Sequence, residues 1–262
     1  MRDMTNNVRY VDLDYCIQQS ILYESSCGKF KIISYKDSKN VRIKFIGTGY
    51  ETSVQLGNIK SGRVKDRYYP SVYSVGIVGV KYPISEYGVH TKEYGLWKNM
   101  LRRCYSDTYK KKYPTYIDCK CSENFKSFEY FYEWCNEQVG FGMDDFELDK
   151  DLLVKGNKVY SEDSCVFIPY EINTLLVKRE ASRGECLIGV YWSNTNKAFV
   201  ARVNKSKGGS EWLGLFNTEL EAFKAYKKAK EAFIKEQANK WKSQIDIRAY
   251  NALMNYEIDI ND

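Results

Sequence analysis

Histidine is nearly absent: the chain has a single one, His90, in 262 residues. This excludes most His-based zinc sites and makes any Ser-His or Cys-His catalytic pair depend on one side chain. Long apolar runs are missing too, and none approaches the roughly 18 residues that a membrane span requires. The opening stretch MRDMTNNVRYVDLDY lacks the apolar core of a secretion signal, which predicts a cytosolic (cytoplasmic) protein. No two cysteines stand at the two-residue gap of common zinc knuckles, and Cys119-Lys120-Cys121 is the tightest pair. In a cytosolic chain the eight cysteines read as buried thiols rather than a disulfide framework. Gly47-Thr48-Gly49 is too short for a phosphate-binding loop and reads as turn glycines.

What is abundant is tyrosine, at 23 residues, which suits aromatic-rich binding surfaces. Net charge is +6, and its distribution matters more than its size. The first 93 residues carry +5, residues 94–182 carry −2, residues 183–242 carry +6, and the last twenty carry −3. A near-neutral middle is therefore flanked by two basic regions. Basic flanks suit a polyanion, because each Lys or Arg that neutralises a phosphate releases counterions. They equally suit solvated surfaces, and the Lys110-Lys111-Lys112 run shares that ambiguity.

Pattern along the chain predicts an α+β protein in four stretches. Residues 1–83 read as a small N-terminal β-rich module. Phe30–Ile33 and Val41–Phe45 are strand-like, Lys36–Asn40 is a turn, and glycine-punctuated short strands continue to about Val80. Residues 84–182 begin with an amphipathic helix carrying Leu96, Trp97, Met100, Leu101 and Cys104, and a second runs from Phe125 to about Asn136. Strand, loop, strand and helix then follow from Phe146 to Leu176, with Pro169 placed for a first helical turn. Residues 183–242 hold three short strands and a helix. Thr218 is its expected N-cap, Glu221 completes a capping box, and Ala222, Phe223, Tyr226, Ala229 and Phe233 form the buried stripe. Lys224, Lys227, Lys228 and Lys235 are expected to face out. Residues 243–262 read as a C-terminal tail.

Gly189-Val190-Tyr191-Trp192, the Phe199–Val203 strand, Trp212-Leu213-Gly214-Leu215-Phe216 and Glu221–Tyr226 together resemble an AP2-type DNA-binding domain over about residues 186–240. The resemblance implies a sheet that enters the major groove of double-stranded DNA. Alternation puts Phe199, Ala201 and Val203 on the helix side and Ala198, Val200, Arg202 and Asn204 on the other. By the family pattern, Tyr191, Ser193, Arg202 and Trp212 fall on the groove side, with Asn194, Lys197, Lys205 and Lys207 nearby. Where that family often places Arg, this chain has Tyr191, Ser193 and Asn204. Phosphate and shape contacts are expected to outweigh direct guanine readout.

Trp97–Tyr105, Tyr113–Tyr116 and the stretch from Leu148-Asp149-Lys150-Asp151 to Asn173 resemble phage-type HNH endonucleases, which often carry an AP2-type domain behind the nuclease. The resemblance implies a bacteriophage or prophage source, a ββα-metal fold, and metal-dependent hydrolysis of DNA with Mg²⁺ or another divalent cation. Asp149 matches the ligand position, Asn173 matches the helix position, and Asp151 is a further candidate ligand. Lys150 stands where the general-base His belongs, and Ser164 lies near the usual mid-loop Asn. An unperturbed lysine is protonated at neutral pH and is a poor base. His90 lies outside this frame and reads as a structural histidine. Three functions stay open: a metal-dependent endonuclease, a catalytically degenerate DNA binder of the same ancestry, and an inhibitor of a host defence protein.

Overall fold

The computed structural model describes residues 17–177, 184–205 and 209–261. It is an α+β protein that divides into two compact units, one reaching Ile117 and adding Glu123–Tyr132, the other formed by Asp118–Ser122 and the rest of the chain from Glu133. Among the described residues no helix is long and apolar enough to cross a membrane. The expected module boundary at 182/183 falls outside the described residues.

The first unit opens with an antiparallel four-stranded meander: β1 (Leu22–Ser25), β2 (Gly28–Asp37), β3 (Asn40–Phe45) and β4 (Glu51–Val54), in that order. Alternation dictates its packing. In β3, Val41, Ile43 and Phe45 turn inward against Phe30 and Ile32 of β2, while Arg42 and Lys44 point out and both pair with Glu51. Asp37 fixes the two-residue turn by accepting from the Lys39 amide at 2.7 Å. Of the short strands expected as far as Val80, β4 forms between Gly49 and Gly57; beyond it the described residues up to Val80 make only the isolated bridges Val72–Gly76 and Ile77–Ser127. After the short helix α1 (Leu56–Lys60) the chain runs irregularly, held by Arg67 Nε donating to the Gly79 carbonyl and by the Val80 and Lys81 amides donating to Glu129. The glycines there act as turn and close-approach points instead. A Cβ at Gly79, with φ +72°, would fall within the Glu129 carboxylate.

A small hairpin, β5 (Ser85–Glu86) and β6 (Val89–His90), precedes α2 (Lys92–Tyr105). Thr91 caps α2, which buries Tyr94, Trp97, Met100, Leu101 and Cys104; the Trp97 indole donates to the Phe125 carbonyl at 2.8 Å. Next come α3 (Asp107–Lys112), with Lys110–Lys112 in its last turn, then β7 (Lys120–Cys121), then α4 (Phe128–Glu137). Six of the seven described cysteines are buried.

In the second unit, β8 (Phe146–Asp149) lies antiparallel to β10 (Val166–Pro169), and α5 (Tyr170–Leu176) follows directly. Between them β9 (Val159–Tyr160) pairs in parallel with β7. The C-terminal part is the antiparallel sheet β11 (Val190–Ser193), β12 (Ala198–Asn204) and β13 (Ser210–Phe216), packed on α6 (Glu219–Trp241). Val190, Phe199, Ala201 and Val203 meet Ala222, Phe223 and Tyr226, and the Thr218–Glu221 capping box forms. Two details depart from the helical stripe that the sequence predicts. Ala229 is only half-buried, and Lys230 beside it is buried.

The stretch 243–262, expected as a tail, is ordered structure through residue 261. Asp246 caps α7 (Ile247–Met254), Ala249 and Leu253 are buried, and Ile258 joins the core beneath α6. Arg248 is locked to Asp246 and reaches the carbonyls of Glu162 and Asp163. The Asp246 cap and the i, i+4 pair Ala249 and Leu253 give this short helix a start and a buried face.

Candidate functional site

Two places carry the residues singled out in the sequence. The first is the strand-strand-helix motif of β8, β10 and α5. Asp149 ends β8 opposite Val166, where one of its oxygens caps the following loop by accepting from the amides of Asp151 at 2.9 Å and Leu152 at 2.7 Å. Burial pushes its carboxyl above the usual carboxylate range, against the pull of those two amides.

Lys150 is buried at 6% exposure, and its Nζ is committed to the loop that contains it. It pairs with Asp151 at 2.5 Å, donates to the Asn157 carbonyl at 2.8 Å and lies 5.6 Å from the centre of the Tyr160 ring. Ser164 likewise serves the loop, donating to the Val159 carbonyl at 2.7 Å. On α5, Asn173 Nδ2 donates to Glu147 at 2.6 Å.

Two residues of this motif escape the sequence reading. Glu147 shares a strand face with Asp149, two positions away, and is what Asn173 touches. Asn157 is the residue that braces the loop: its amide group donates to the carbonyls of Lys150 and Val159 and accepts from the Val159 amide. The period-two spacing to Asp149 was the available signal for Glu147. For Asn157 it was the Gly156-Asn157 turn pair.

A divalent cation needs several oxygen donors converging with net negative charge. Here Asp151 is paired with an internal ammonium, one oxygen of Asp149 is taken by the Asp151 and Leu152 amides, and Asn173 is bonded to Glu147. Among the described residues no group of three or more His, Cys, Asp or Glu could hold a metal ion. As arranged, Asp149, Asp151 and Asn173 do not fit such an ion. His90 belongs to the other unit, exposed on the β5–β6 hairpin with its ring edge-on to Tyr94. The Cys165 thiol is pushed up to about 12 by burial, leaving it without nucleophilic character at neutral pH.

The second place is the outer face of the C-terminal sheet, away from α6. The register sets Tyr191 opposite Val200, Val200 opposite Leu215, and Arg202 opposite Trp212, with an irregularity between Ala201, which faces Gly214, and Arg202 that leaves Leu213 as the extra residue. Tyr191, Arg202 and Trp212 are all exposed. Among the described residues Arg202 has no ion-pair partner. Ser193 accepts from both nitrogens of Asn196 and so shapes the β11–β12 turn, on which Asn194 and Lys197 are exposed.

Lys205 is placed differently. Alternation turns it toward the helix side, where it pairs with Glu211 at 2.7 Å and lies 5.6 Å from the centre of the Phe233 ring. The Glu211 carboxylate holds its ammonium above the ordinary lysine value. Lys207 lies outside the described residues.

Comparison of the chain with protein-family models, with curated proteins and with solved structures finds no match in any of the three.

Proposed function

We propose that this chain is a DNA-binding protein whose ββα frame has the order of an HNH endonuclease without its hydrolytic chemistry, and that it holds DNA on the outer face of the C-terminal sheet. The observation that carries the reading is Arg202, an exposed guanidinium without an ion-pair partner among the described residues, set on an open sheet face beside Trp212. The stretch 183–242 around it carries +6, which supplies the counterion-release attraction for a phosphate backbone. The loss of catalysis is supported by Lys150, whose Nζ is bound to Asp151 and to the Asn157 carbonyl and is not available to take a proton from water.

The test is a gel or anisotropy titration of labelled DNA across a salt series. Arg202→Ala is expected to weaken binding several-fold and to lower the salt slope by about one counterion. An unchanged affinity and slope would remove the sheet from the interface.

One observation favours a second reading, metal-dependent cleavage: Asp149 ends the first strand, and Asn173 projects from the helix onto the same strand. Supercoiled plasmid incubated with the protein and Mg²⁺ or Mn²⁺ decides between them. The expected outcome is intact plasmid. Nicking that Asn173→Ala abolishes would replace the binder with a nuclease.

A further inference from the structure

Resting on the DNA-binding reading, we propose that the outer face of the C-terminal sheet is a stacking platform for unpaired bases, so that its preferred ligand is single-stranded DNA. The face is aromatic before it is cationic. Trp212 is 59% exposed, and Tyr191 and Leu215 are each 46% exposed. Neither the Tyr191 nor the Trp212 ring packs on another aromatic ring among the described residues, whereas Trp192, on the opposite face and 44% exposed, already has a ring partner, Phe199, edge-on to it. Two large rings left open on one sheet face have an apolar surface that needs a planar partner.

Geometry separates paired from unpaired bases. Tyr191 and Trp212 sit on the two outer strands with β12 between them, and their partners Val200 and Arg202 are two residues apart along it. Strand spacing and rise then put the two positions about 12 Å apart. In a duplex each base face is covered by its neighbour at a step of about 3.4 Å, so two rings at this separation find no open face to stack on. In a single strand the bases can be splayed apart, and each can lie on its own ring.

Charge points the same way. Duplex recognition by a sheet draws on several Arg or Lys side chains directed at phosphates and base edges. On this face Arg202 stands beside Trp212 and Lys197 marks the turn, while Lys205 is diverted to Glu211 on the helix side. So few cations suit a strand held mainly by stacking, with Arg202 following its backbone.

The experiment uses the full chain and a fluorescein-labelled 15-nucleotide single strand beside the duplex of the same sequence, at one fixed salt concentration. The single strand is expected to bind at least about tenfold more tightly than the duplex. Trp212→Ala is expected to weaken single-strand binding by about 5- to 100-fold, and Trp212→Phe is expected to restore most of it. Far-UV circular dichroism checks that each variant folds, and the wild-type comparison of the two ligands needs no variant at all. Duplex binding as tight as or tighter than single-strand binding overturns the platform while leaving DNA binding intact. So does a folded Trp212→Ala with unchanged single-strand affinity. Binding of neither ligand overturns both.

Discussion

At the scale of single residues, the lysines decide most. Lys150 occupies the position where an HNH-like frame would carry its base, yet it behaves as a strut: an ammonium that ties Asp151 to the Asn157 carbonyl. Asp149 beside it works through its backbone contacts. Asp149→Asn keeps an oxygen that can accept from the Asp151 and Leu152 amides, and it removes a charge that burial disfavours. Its stability at pH 7 is expected to equal or exceed that of the wild type. Asp149→Ala leaves both amides without an acceptor and is expected to lose about 1–3 kcal/mol. Urea denaturation of the two variants measures the difference. Because the folded pKa of Asp149 is raised, its contribution is present at low pH and is lost as pH rises through the folded value.

Lys230 makes a sharper pH prediction. It is buried in α6, and burial lowers its pKa from 10.5 to about 8. Between those values the unfolded chain holds more protons than the folded one, so stability rises with pH across that window. The penalty below pH 8 is on the order of 3 kcal/mol. Lys230→Met is expected to raise the urea midpoint at pH 7 and to flatten the climb between pH 7 and 10. A variant with the wild-type climb would show that Lys230 reaches solvent.

At the scale of elements, the C-terminal sheet depends on how closely it meets α6. Gly189, just before β11, has φ +76°, and a Cβ there would lie 2.1 Å from the Tyr226 ring. Gly189→Ala therefore suffers both backbone strain and a collision with a core aromatic. It is expected to cost more than about 2 kcal/mol, read as a lowered midpoint in thermal or urea melts. Thr218→Ala, which removes half of the capping box on the same helix, is expected to cost about 1 kcal/mol. The ordering of these two losses checks whether packing or capping dominates at this junction.

At the scale of the second unit as a whole, its parts are tied together by particular side chains. Glu171, in the first turn of α5, accepts from both Lys240 and the Trp241 indole at the end of α6, and Phe146 of β8 meets Trp241 edge-on. The ββα motif and the sheet-and-helix module are thus parts of one unit. Residues 243–261 complete it from below: the Ile258 amide donates to Glu231, and Lys227 donates to the Ile258 carbonyl. A chain ending at Lys242 is expected to melt at a clearly lower temperature, because Leu253 and Ile258 leave the core and expose apolar surface around Tyr226. An unchanged melting temperature would return this stretch to the status of a tail.

Local rules were enough for much of this. Alternation in Val41–Phe45 and in Phe199–Val203 fixed which side chains face inward, because a strand turns successive residues to opposite faces wherever it lies. Thr218 and Glu221 marked the start of α6, because a capping box is a contact between near neighbours in sequence. Alternation also turned Arg202 outward, whereas Tyr191 and Trp212 were placed on that face by the resemblance to AP2-type domains. What only the tertiary structure decided are contacts between residues far apart or within an irregular loop. These are the commitment of Lys150 to Asp151 and Asn157, the meeting of Asn173 with Glu147, the burial of Lys230, the capture of Lys205 by Glu211, and the return of Ile258 to the core. Each depends on which groups another segment brings within a few ångströms, and no periodicity along the chain records that.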